Sequence, residues 1–293
     1  MTLLVQTSIR AAVHPIDVLG RRVEALSATS LSTRLDRNVP KELRPLVEQL
    51  NGLLARLEEA FRRERQLTSD VAHELRTPVA ELRSIAEVGG RWPESRDEVV
   101  AFFKDVHDVA MHMERLIADL LALARYEGGL EAIRWEPVVL LEELGEVRAH
   151  LEGRAVQRNV AIVVEGEGPA EVWTDRAKLE VILRNLLQNA IEHSPQGSTV
   201  RCRIIAEPGS ARLVVANPAP ALEPQDLPRM FDRFWRKEAS RTGESNAGLG
   251  LALVRAFADL LGLDVRPTLG GDHTLSMMVT FSSRRPEPAA APA

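Results

Sequence analysis

The sequence predicts a multidomain protein of the α plus α/β class, in which paired helices come first and an α/β domain follows. Before Tyr126, apolar residues recur at alternating spacings of three and four, which is the pattern of packed amphipathic helices. After Trp135, short β-rich runs alternate with helical stretches. With 293 residues and 45% hydrophobic content, the chain has enough apolar material for two or three compact units.

Composition excludes several classes of protein. The formal net charge of −5 gives no general attraction to nucleic acid, so no nucleic-acid partner is expected. The single cysteine, Cys202, excludes an internal disulfide framework, and with seven scattered histidines it cannot form a Cys-rich zinc site. No apolar run reaches the length of about 18 residues that a membrane helix needs, and the opening segment lacks a signal-peptide layout. The chain as given is therefore expected to be soluble in a reducing cytoplasm.

Two coiled-coil-like helices are predicted at the N-terminal end. Their regularly spaced apolar positions are Ile9, Ala12, Ile16, Leu19, Val23 and Leu26 in the first helix, and Leu43, Leu46, Leu50, Leu53, Leu57 and Ala60 in the second. The segment between them is polar and β-branched and closes at Pro40, which favours an extended connector. A packed α-hairpin explains the same pattern equally well.

A helical hairpin is predicted next. One helix runs from about Phe61 to Val88, the turn lies in "GGRWPESRDE", and the return helix runs from about Val99 to Glu127. The return helix carries a heptad seam of Phe103, Val106, Ala110, Met113, Ile117, Leu120 and Ala124. Because two such helices cannot bury their seams alone, we expect two hairpins to pair as a four-helix bundle in a homodimer.

The α/β domain is predicted from four β-rich runs and three helical stretches. The runs are "VAIVVE", "TVRCRIIAE", "ARLVVAN" and "LSMMVTF", and the helices lie around 140–155, 176–193 and 249–261. Because some strands follow one another directly, we expect a mixed sheet with helices on one face. Asp175 is expected to begin the middle helix as its N-cap. The Pro/Ala-rich tail, 283–293, is expected to be disordered.

One histidine lies on the outer face of the first hairpin helix. On a helical wheel of about 100° per residue, His73 lies about 200° from Val71. The apolar side chains expected within about 80° of Val71, on the face toward the core, are Leu67, Leu75, Val79, Leu82 and Ile85. Glu74 is adjacent, Thr77 lies four residues on and nearly on the same face, and Pro78 is expected to bend the helix. An exposed imidazole beside a carboxylate is either surface decoration or a nucleophile with its base.

The string "VAHELRTPVAEL" resembles the H box of the sensor histidine kinases of two-component systems. The resemblance implies that His73 is the phosphoacceptor, that Glu74 is its base, and that Thr77 helps to position water when the partner is dephosphorylated. The resemblance extends to "LIADLLALARYE" at the end of the hairpin. The N-terminal helix pair, with Pro15 and "PKELRPLVEQLNGLLARLEEAFRRER", is similar to a HAMP signal-relay module.

A phosphoacceptor requires a donor, so the α/β domain is expected to bind ATP. In "LRNLLQNAIEHSP", Asn185, Asn189 and His193 share one helix face, and amides offer an oxygen to a hard cation and N–H donors to phosphate. By itself, such a face is either a polar surface or a metal site. It resembles the N box of the histidine-kinase ATPase domain, which implies that Asn189 ligates Mg²⁺ and that Asn185 and His193 line the phosphates. Glu192 stands where that family often has a basic residue.

Glycines open the last helix of the domain. Gly248 and Gly250 in "NAGLGLALV" permit close backbone approach at a helix N-terminus, which favours anionic oxygens. The segment is neither a Walker loop nor a Rossmann fingerprint. It resembles the second glycine box of the same family, and "MFDRFWR" resembles the F box. Arg236 and Arg241 fall in the connecting lid, where the family uses arginines on phosphate; the alternative is that both are solvated lid charges.

The first glycine box departs from the family pattern. In "ANPAPAL", Asn217 stands for the Asp that accepts from the adenine amino group, and Ala219 and Ala221 stand for two glycines. The amide oxygen of Asn217 still offers an acceptor. Losing one charge-assisted hydrogen bond costs about 1–2 kcal/mol, so ATP affinity is expected to fall roughly tenfold rather than to vanish.

The resemblance covers nearly the whole chain, from about residue 9 to 281, and implies four parts. These are a HAMP-like relay at 1–60, a dimerisation and phosphotransfer hairpin at 61–130, an ATP-binding α/β sandwich of the GHKL (Bergerat) type at 131–282, and the tail at 283–293. The implied function is an ATP- and Mg²⁺-dependent protein-histidine autokinase. It charges His73, passes the phosphoryl group to an aspartate of a response regulator, and also dephosphorylates that regulator.

Two other functions stay open on the sequence. The altered first glycine box fits a degenerate kinase that acts as a binding and phosphatase module, and ATPase machines such as chaperones and topoisomerases share the nucleotide fold. The chain begins about where a second membrane helix ends in the resembling family. We therefore expect either a natively soluble kinase or the cytoplasmic portion of a longer protein, placed at the inner face of a bacterial inner membrane.

Overall fold

The computed structural model describes residues 33–36, 39–41, 43–89, 95–166, 170–237 and 247–284. The chain divides into two compact units, Met1–Glu81 and Leu82–Ala293. The first predicted helix, at 9–26, and the predicted tail from 285 onward lie outside the described residues. Across the described ranges, no helix is long and apolar enough to span a bilayer.

Five helices and seven strands occur in the described residues. The helices are α1 (Arg44–Gly89), α2 (Arg96–Glu127), α3 (Leu140–Gln157), α4 (Arg176–His193) and α5 (Gly250–Leu261). The strands are β1 (Glu136–Val139), β2 (Ala161–Gly166), β3 (Glu171–Thr174), β4 (Thr199–Glu207), β5 (Ser210–Pro218), β6 (Asp264–Leu269) and β7 (Thr274–Ser282).

A single continuous helix replaces two predicted ones. The sequence predicts separate helices that meet near Phe61, but α1 runs through this point and is 46 residues long. The surrounding residues, "ARLEEAFRRERQL", are mostly strong helix formers without Gly or Pro, so nothing in the sequence stops the helix there. Pro78 lies inside α1 and does not end it. The second helix of the predicted relay therefore continues directly into the helix that carries His73.

The first unit has a small core where the connector meets α1. Leu35 is buried with Val47 and Leu54. The Asn51 side chain binds the backbone of Leu35 twice, accepting from its N–H over 2.8 Å and donating to its carbonyl over 3.0 Å. Residues 33–36 are not helical, as predicted for the connector. The connector is therefore fastened to α1 by both apolar and polar contacts.

Helix α2 carries two apolar stripes, of which one is buried. The buried side chains are Val109, Leu116 and Leu123, each seven residues from the next, and α2 packs against α5. The seam that the sequence predicts is on the other stripe, where Phe103 is 72% exposed and Ile117 is 46% exposed in the single chain. Among the residues that the structure describes, α2 buries one stripe and leaves Phe103 and Ile117 of the predicted seam exposed.

The second unit contains a five-stranded mixed sheet of order β2-β4-β5-β7-β6. β2 pairs with β4 in parallel, and the other neighbours are antiparallel. Buried and partly exposed residues alternate along β5 and β7, so one face of the sheet is covered. The covering layer is α3, α4 and α5. The predicted mixed sheet with helices on one face is confirmed.

Three short strands were not predicted from the sequence. β1 and β3 have four residues each, pair antiparallel as a separate sheet, and are too short to show alternation. β6 contains Pro267 and lies at an edge of the main sheet, where a missing N–H is tolerated. The predicted N-cap is confirmed, because the Asp175 side chain accepts from the Lys178 N–H over 3.2 Å at the start of α4.

Candidate functional site

A cavity of about 410 Å³ lies against one face of α4 in the second unit. The site residues predicted from the sequence that line it are Asn185, Asn189, His193, Arg236, Gly248 and Gly250. Asn217 is not among the described residues that line it, and Arg241 lies outside the described residues. The volume is in the usual range for a small-molecule site.

The polar wall of the cavity is one face of α4. A spacing of four residues places Asn185, Asn189 and His193 one above another along the helix. The amide nitrogen of Asn185 donates to the Val181 carbonyl over 2.8 Å, which leaves its Oδ1 facing Gly250. Asn189 is partly buried and lines the cavity. An amide oxygen in that position suits a hard divalent cation.

Glycine is required at two positions around the start of α5. Gly248 has a φ of +71°, and a Cβ there would lie 2.9 Å from the backbone Cα and C of Phe234. Phe234 itself has a φ of +58°, and its N–H donates to the Gly248 carbonyl over 3.0 Å. At Gly250 a Cβ would lie 2.5 Å from Oδ1 of Asn185. The predicted F box and second glycine box are therefore locked together beside α4.

An apolar surface forms another part of the cavity wall. Its members are Ala219, Leu222, Met230 and Leu275, of which Ala219, Met230 and Leu275 are buried. Such a surface suits the flat face of an aromatic base. The surface comes from three separate stretches of chain, so no local sequence pattern indicates it.

The first glycine box is folded without its glycines. The N–H of Ala219 donates to the His273 carbonyl over 2.8 Å, which ties this loop to the turn before β7. Asn217 is 2% exposed, and its amide nitrogen donates to the Pro218 carbonyl over 3.0 Å. The side chain is thus engaged at the end of β5, and its expected contact with adenine stays a prediction.

Sequence reasoning missed two cationic residues that line the cavity, Arg158 and Lys237. Arg158 is the C-cap residue of α3, and its Nη2 donates to the Glu192 carbonyl over 2.6 Å. Lys237 pairs with Asp226 at 2.7 Å and with Glu223 at 3.2 Å. Arg158 and Glu192 are 34 residues apart, so only the fold brings them together.

Two neighbours at the end of α4 have shifted proton affinities. Desolvation by the surrounding protein lowers the pKa of His193, and the charges of Arg236 and Arg158 lower it further. The imidazole is therefore neutral at pH 7. Burial raises the pKa of Glu192. The hydrogen bond from Gln188 and the charges of nearby arginines lower it, but by less than burial raises it.

The predicted phosphoacceptor face lies on α1, in the first unit. His73 and Thr77 are exposed and Glu74 is partly buried, so the outward direction of the imidazole is confirmed. On the predicted apolar face, Val79 is instead 53% exposed, while Pro78 is buried. The expectation for Val79 is wrong for the single chain, because a helical wheel gives the direction of a side chain but not whether a partner covers it.

The helical and α/β parts of the second unit are joined by direct contacts. α2 packs against α5, and Arg233 of the F box forms an ion pair with Glu127 at the end of α2. Arg255 of α5 lies over the ring of Phe231, 4.4 Å from its centroid. The F-box segment is therefore held by both helices.

The second unit has the architecture of a nucleotide-binding ATPase domain. Its residues 174–284 match the family model of the histidine kinase-, DNA gyrase B- and HSP90-like ATPases. Residues 63–129 match the His Kinase A (phospho-acceptor) domain, and residues 13–59 match the HAMP domain of PhoQ-like sensor proteins. The chain belongs to the sensor histidine kinases of two-component systems.

Individual relatives agree with this family. Sensor histidine kinase CusS of Escherichia coli (strain K12) is 30% identical over 263 residues, which are 88% of this chain and 55% of CusS. The chain thus spans about half the length of the curated relatives it matches.

Solved histidine kinases share the fold. Histidine kinase AdeS of Acinetobacter baumannii has a TM-score of 0.58 at 20% identity, over 73% of this chain and 98% of that one. Histidine kinase ThkA, solved in complex with response regulator protein TrrA, has a TM-score of 0.59 at 19% identity, over 78% and 65% of the two chains. At these identities the similarity shows the fold alone.

Proposed function

We propose that this chain is the kinase part of an ATP-dependent protein-histidine autokinase that phosphorylates His73. The observation that carries the proposal is the Asn185–Asn189–His193 face of α4, which lines one cavity together with the glycine loop. The same chain exposes His73 on a helix that matches a phosphoacceptor domain. The match to an ATPase domain implies ATP as the bound nucleotide.

The residues around the cavity fit ATP bound with Mg²⁺. Gly248 and Gly250 line the cavity without side chains, and the N-terminus of α5 favours phosphate oxygens. Asn189 would hold Mg²⁺ through its amide oxygen, and Asn185 and His193 would contact the triphosphate. Bound Mg²⁺ supplies charge neutralisation for the transferring phosphoryl group.

Further residues would contact the phosphates from the lid and the adenine at the other end of the nucleotide. Arg236 lines the cavity, and with Arg241 it would offset phosphate charge. The apolar surface that contains Met230 and Leu275 would receive the adenine ring. Asn217 would accept from the adenine amino group through its Oδ1, because its hydrogen bond to the Pro218 carbonyl uses the amide nitrogen.

Phosphoryl transfer to histidine needs a nucleophilic ring nitrogen and a base. In the proposed step, one ring nitrogen of His73 attacks the γ-phosphorus, and the bond from that phosphorus to the β,γ-bridging oxygen breaks. ADP leaves with the electron pair of that bond. Glu74 accepts the proton of the other ring nitrogen. The exposure of His73 supports this role, because the attacking nitrogen must be open to a nucleotide held by another part of the protein.

A response regulator and a second copy of this chain are the proposed partners. The phosphoryl group would pass to an aspartate of the regulator, and Thr77 would position water when that aspartate is dephosphorylated. The match of residues 63–129 to a phospho-acceptor domain supports a partner of this class. The exposed stripe on α2, which includes Phe103 and Ile117, supports a homodimer that buries it in a four-helix bundle.

The division of the chain follows the same proposal. A relay occupies 1–60, the dimerisation and phosphotransfer hairpin 61–130, the catalytic domain 131–282 and the tail 283–293. In the full-length protein these parts would lie at the inner face of a bacterial inner membrane. The continuity of α1 supports control by the relay, because a tilt or rotation at Arg44 is carried along one helix to His73.

Incubation with γ-labelled ATP and Mg²⁺ tests the proposal. The parent chain is expected to acquire acid-labile label, whereas His73→Gln and Asn189→Ala are expected to acquire none. His107→Gln changes an exposed histidine on α2 and is the matched control, which should label like the parent. Equal labelling of His73→Gln and the parent would contradict the proposal.

A second candidate is a degenerate kinase that binds partners and acts as a phosphatase module. The observation that favours it is the first glycine box, where Ala219 and Ala221 replace glycines and Asn217 does not line the cavity. Calorimetric titration with ATP, with and without Mg²⁺, separates the two functions, because the kinase must bind and the degenerate module need not. An ATPase machine of the same fold would instead hydrolyse ATP at an unchanged rate in His73→Gln.

A further inference from the structure

Arg158 is a cation on the cavity wall with no role in the function proposed above. Its Nη2 donates to the Glu192 carbonyl at the end of α4 over 2.6 Å. A neutral carbonyl orients the guanidinium but does not neutralise it. In the part of the chain that the structure describes, no carboxylate oxygen comes within 4.0 Å of a nitrogen of Arg158. The positive charge of Arg158 is therefore anchored yet not ion-paired.

Three neighbouring groups add little positive charge to this part of the wall. Lys237 is paired with two carboxylates, the nearer one at 2.7 Å. The Glu192 carboxylate accepts from Gln188 at 3.0 Å and pairs with Arg154 at 3.2 Å. His193, whose pKa is lowered, is neutral at pH 7. Among the described residues of α4 that line the cavity, none is a permanent cation.

We propose that Arg158 binds the phosphate oxygens of the nucleotide and is the cation that α4 itself lacks. The proposal rests on nucleotide binding at this cavity, as proposed above. Asn189, the Mg²⁺ ligand of that proposal, precedes Glu192 by three residues, which is about 4.5 Å along the helix axis. Arg158 is anchored at Glu192, so its guanidinium lies beside the segment of α4 where a metal-bound triphosphate would lie.

The guanidinium has the donors that this role requires. It carries five N–H groups, and its hydrogen bond to the Glu192 carbonyl uses one of them. A planar fork of N–H donors binds phosphate through two parallel hydrogen bonds, which a flexible ammonium does not reproduce. The effect of Arg158 on the pKa of His193 shows that its charge is felt at the polar wall.

Calorimetric titration of Arg158→Gln with ATP, ADP and adenosine, in the presence of Mg²⁺, tests the proposal. Affinity for ATP and ADP is expected to fall by about tenfold or more, and affinity for adenosine to stay within about twofold of the parent. Arg154→Gln is the matched control. It lies one turn earlier on α3 and pairs with the same Glu192, but it is not among the described residues that line the cavity, so ATP affinity should change by less than about threefold.

The outcomes separate this inference from the proposed function. If the parent binds ATP and Arg158→Gln binds it within about twofold of the parent, Arg158 has no phosphate role although nucleotide binding stands. If Arg158→Gln loses as much affinity for adenosine as for ATP, Arg158 supports the structure of the cavity wall and does not bind phosphate. The same conclusion follows if Arg154→Gln loses as much ATP affinity as Arg158→Gln does. Either result also overturns the inference. A parent chain with no affinity for any of the three ligands overturns both proposals. Arg158→Met keeps the apolar stem without the charge and takes the place of Arg158→Gln if that variant does not fold.

Discussion

The backbone N–H of Arg134 donates to the carboxylate of Asp175 over 2.8 Å. Asp175 is the N-cap of α4, so the residue that begins this helix also holds the segment between α2 and β1. Lys178 strengthens the junction, because its ammonium donates to the Ala132 carbonyl over 2.8 Å and pairs with Glu131 at 3.3 Å. The link from the helical hairpin to the catalytic domain is thus fixed by the first turn of the helix that carries the candidate nucleotide site.

Replacing Asp175 with alanine is expected to lower the free energy of unfolding by about 2–3 kcal/mol, because a cap and a charged hydrogen bond are lost together. Urea unfolding of the parent and the variant measures the change. Asp175→Asn keeps a cap acceptor without the charge and should lose about half as much. A loss of less than about 0.5 kcal/mol in Asp175→Ala would show that the junction does not depend on this carboxylate.

The same carboxylate predicts a pH dependence. Burial raises the pKa of Asp175, but hydrogen bonds from the Arg134 and Lys178 N–H groups and the Lys178 charge outweigh burial and bring it below its ordinary value of 3.8. A depressed folded pKa stabilises the fold above the unfolded pKa, and this stabilisation is lost as the pH falls through the folded value. The difference in free energy of unfolding between the parent and Asp175→Asn should therefore be largest at pH 7. It should disappear as the pH falls below about 4.

Asp119 on α2 predicts the opposite dependence. Burial raises its pKa from 3.8 to about 6, although Arg184 and Arg115 oppose the shift. Because the folded pKa is the higher one, the parent loses stability as the pH rises from about 4 to about 6. Asp119→Asn should be more stable than the parent by about 1–2 kcal/mol at pH 7.5, after allowance for partial solvent screening, and equal to it near pH 4. Thermal unfolding of the parent and the variant at both pH values measures the difference. If Asp119→Asn is less stable than the parent at pH 7.5, the account is contradicted.

Gly250→Ala is expected to weaken ATP binding by about tenfold or more, because the new Cβ would lie 2.5 Å from Oδ1 of Asn185 and must displace that side chain. Calorimetric titration with ATP and Mg²⁺ measures the loss. Gly153→Ala is the control: it lies in α3 with no heavy atom within 4 Å of the new Cβ, and alanine favours a helix. ATP binding by Gly250→Ala at parental affinity would show that Asn185 is not needed in its present position.

Asn51→Ala is expected to release the connector from α1, because both hydrogen bonds to Leu35 are lost. Each bond contributes about 1 kcal/mol, so the amide of Leu35 should exchange with solvent about tenfold faster or more. Hydrogen exchange read by mass spectrometry over residues 33–41 measures this. Gln49→Ala, an exposed neighbour on α1, should leave the exchange unchanged. The same exchange rate in Asn51→Ala and the parent would exclude the clamp.

Long elements could be predicted because their apolar patterns run for many residues. The alternation along β5 and β7 and the face of α4 are visible in the sequence, and so is the Asn185–Asn189–His193 spacing. Four-residue strands such as β1 carry too few positions for a pattern. Pro267 argues against a strand at β6, because proline is rare inside strands.

The remaining differences arise from tertiary contacts. Arg158 reaches the cavity by a hydrogen bond to a residue 34 positions away, which no local pattern reports. Helix α2 has two apolar stripes, and periodicity does not tell which one the chain buries and which one it leaves for a partner. The side chain of Asn217 was assigned by its place in a motif, whereas its hydrogen bond to Pro218 depends on how β5 ends.

Mass spectrometry of the chain after exposure to ATP and Mg²⁺, with digestion and separation kept alkaline to preserve a phosphoramidate, tests the central claim most directly. The account predicts one phosphoryl group on the imidazole of His73, and none on His107, an exposed histidine of α2. An unmodified His73 in a chain that carries phosphate on another residue would contradict it.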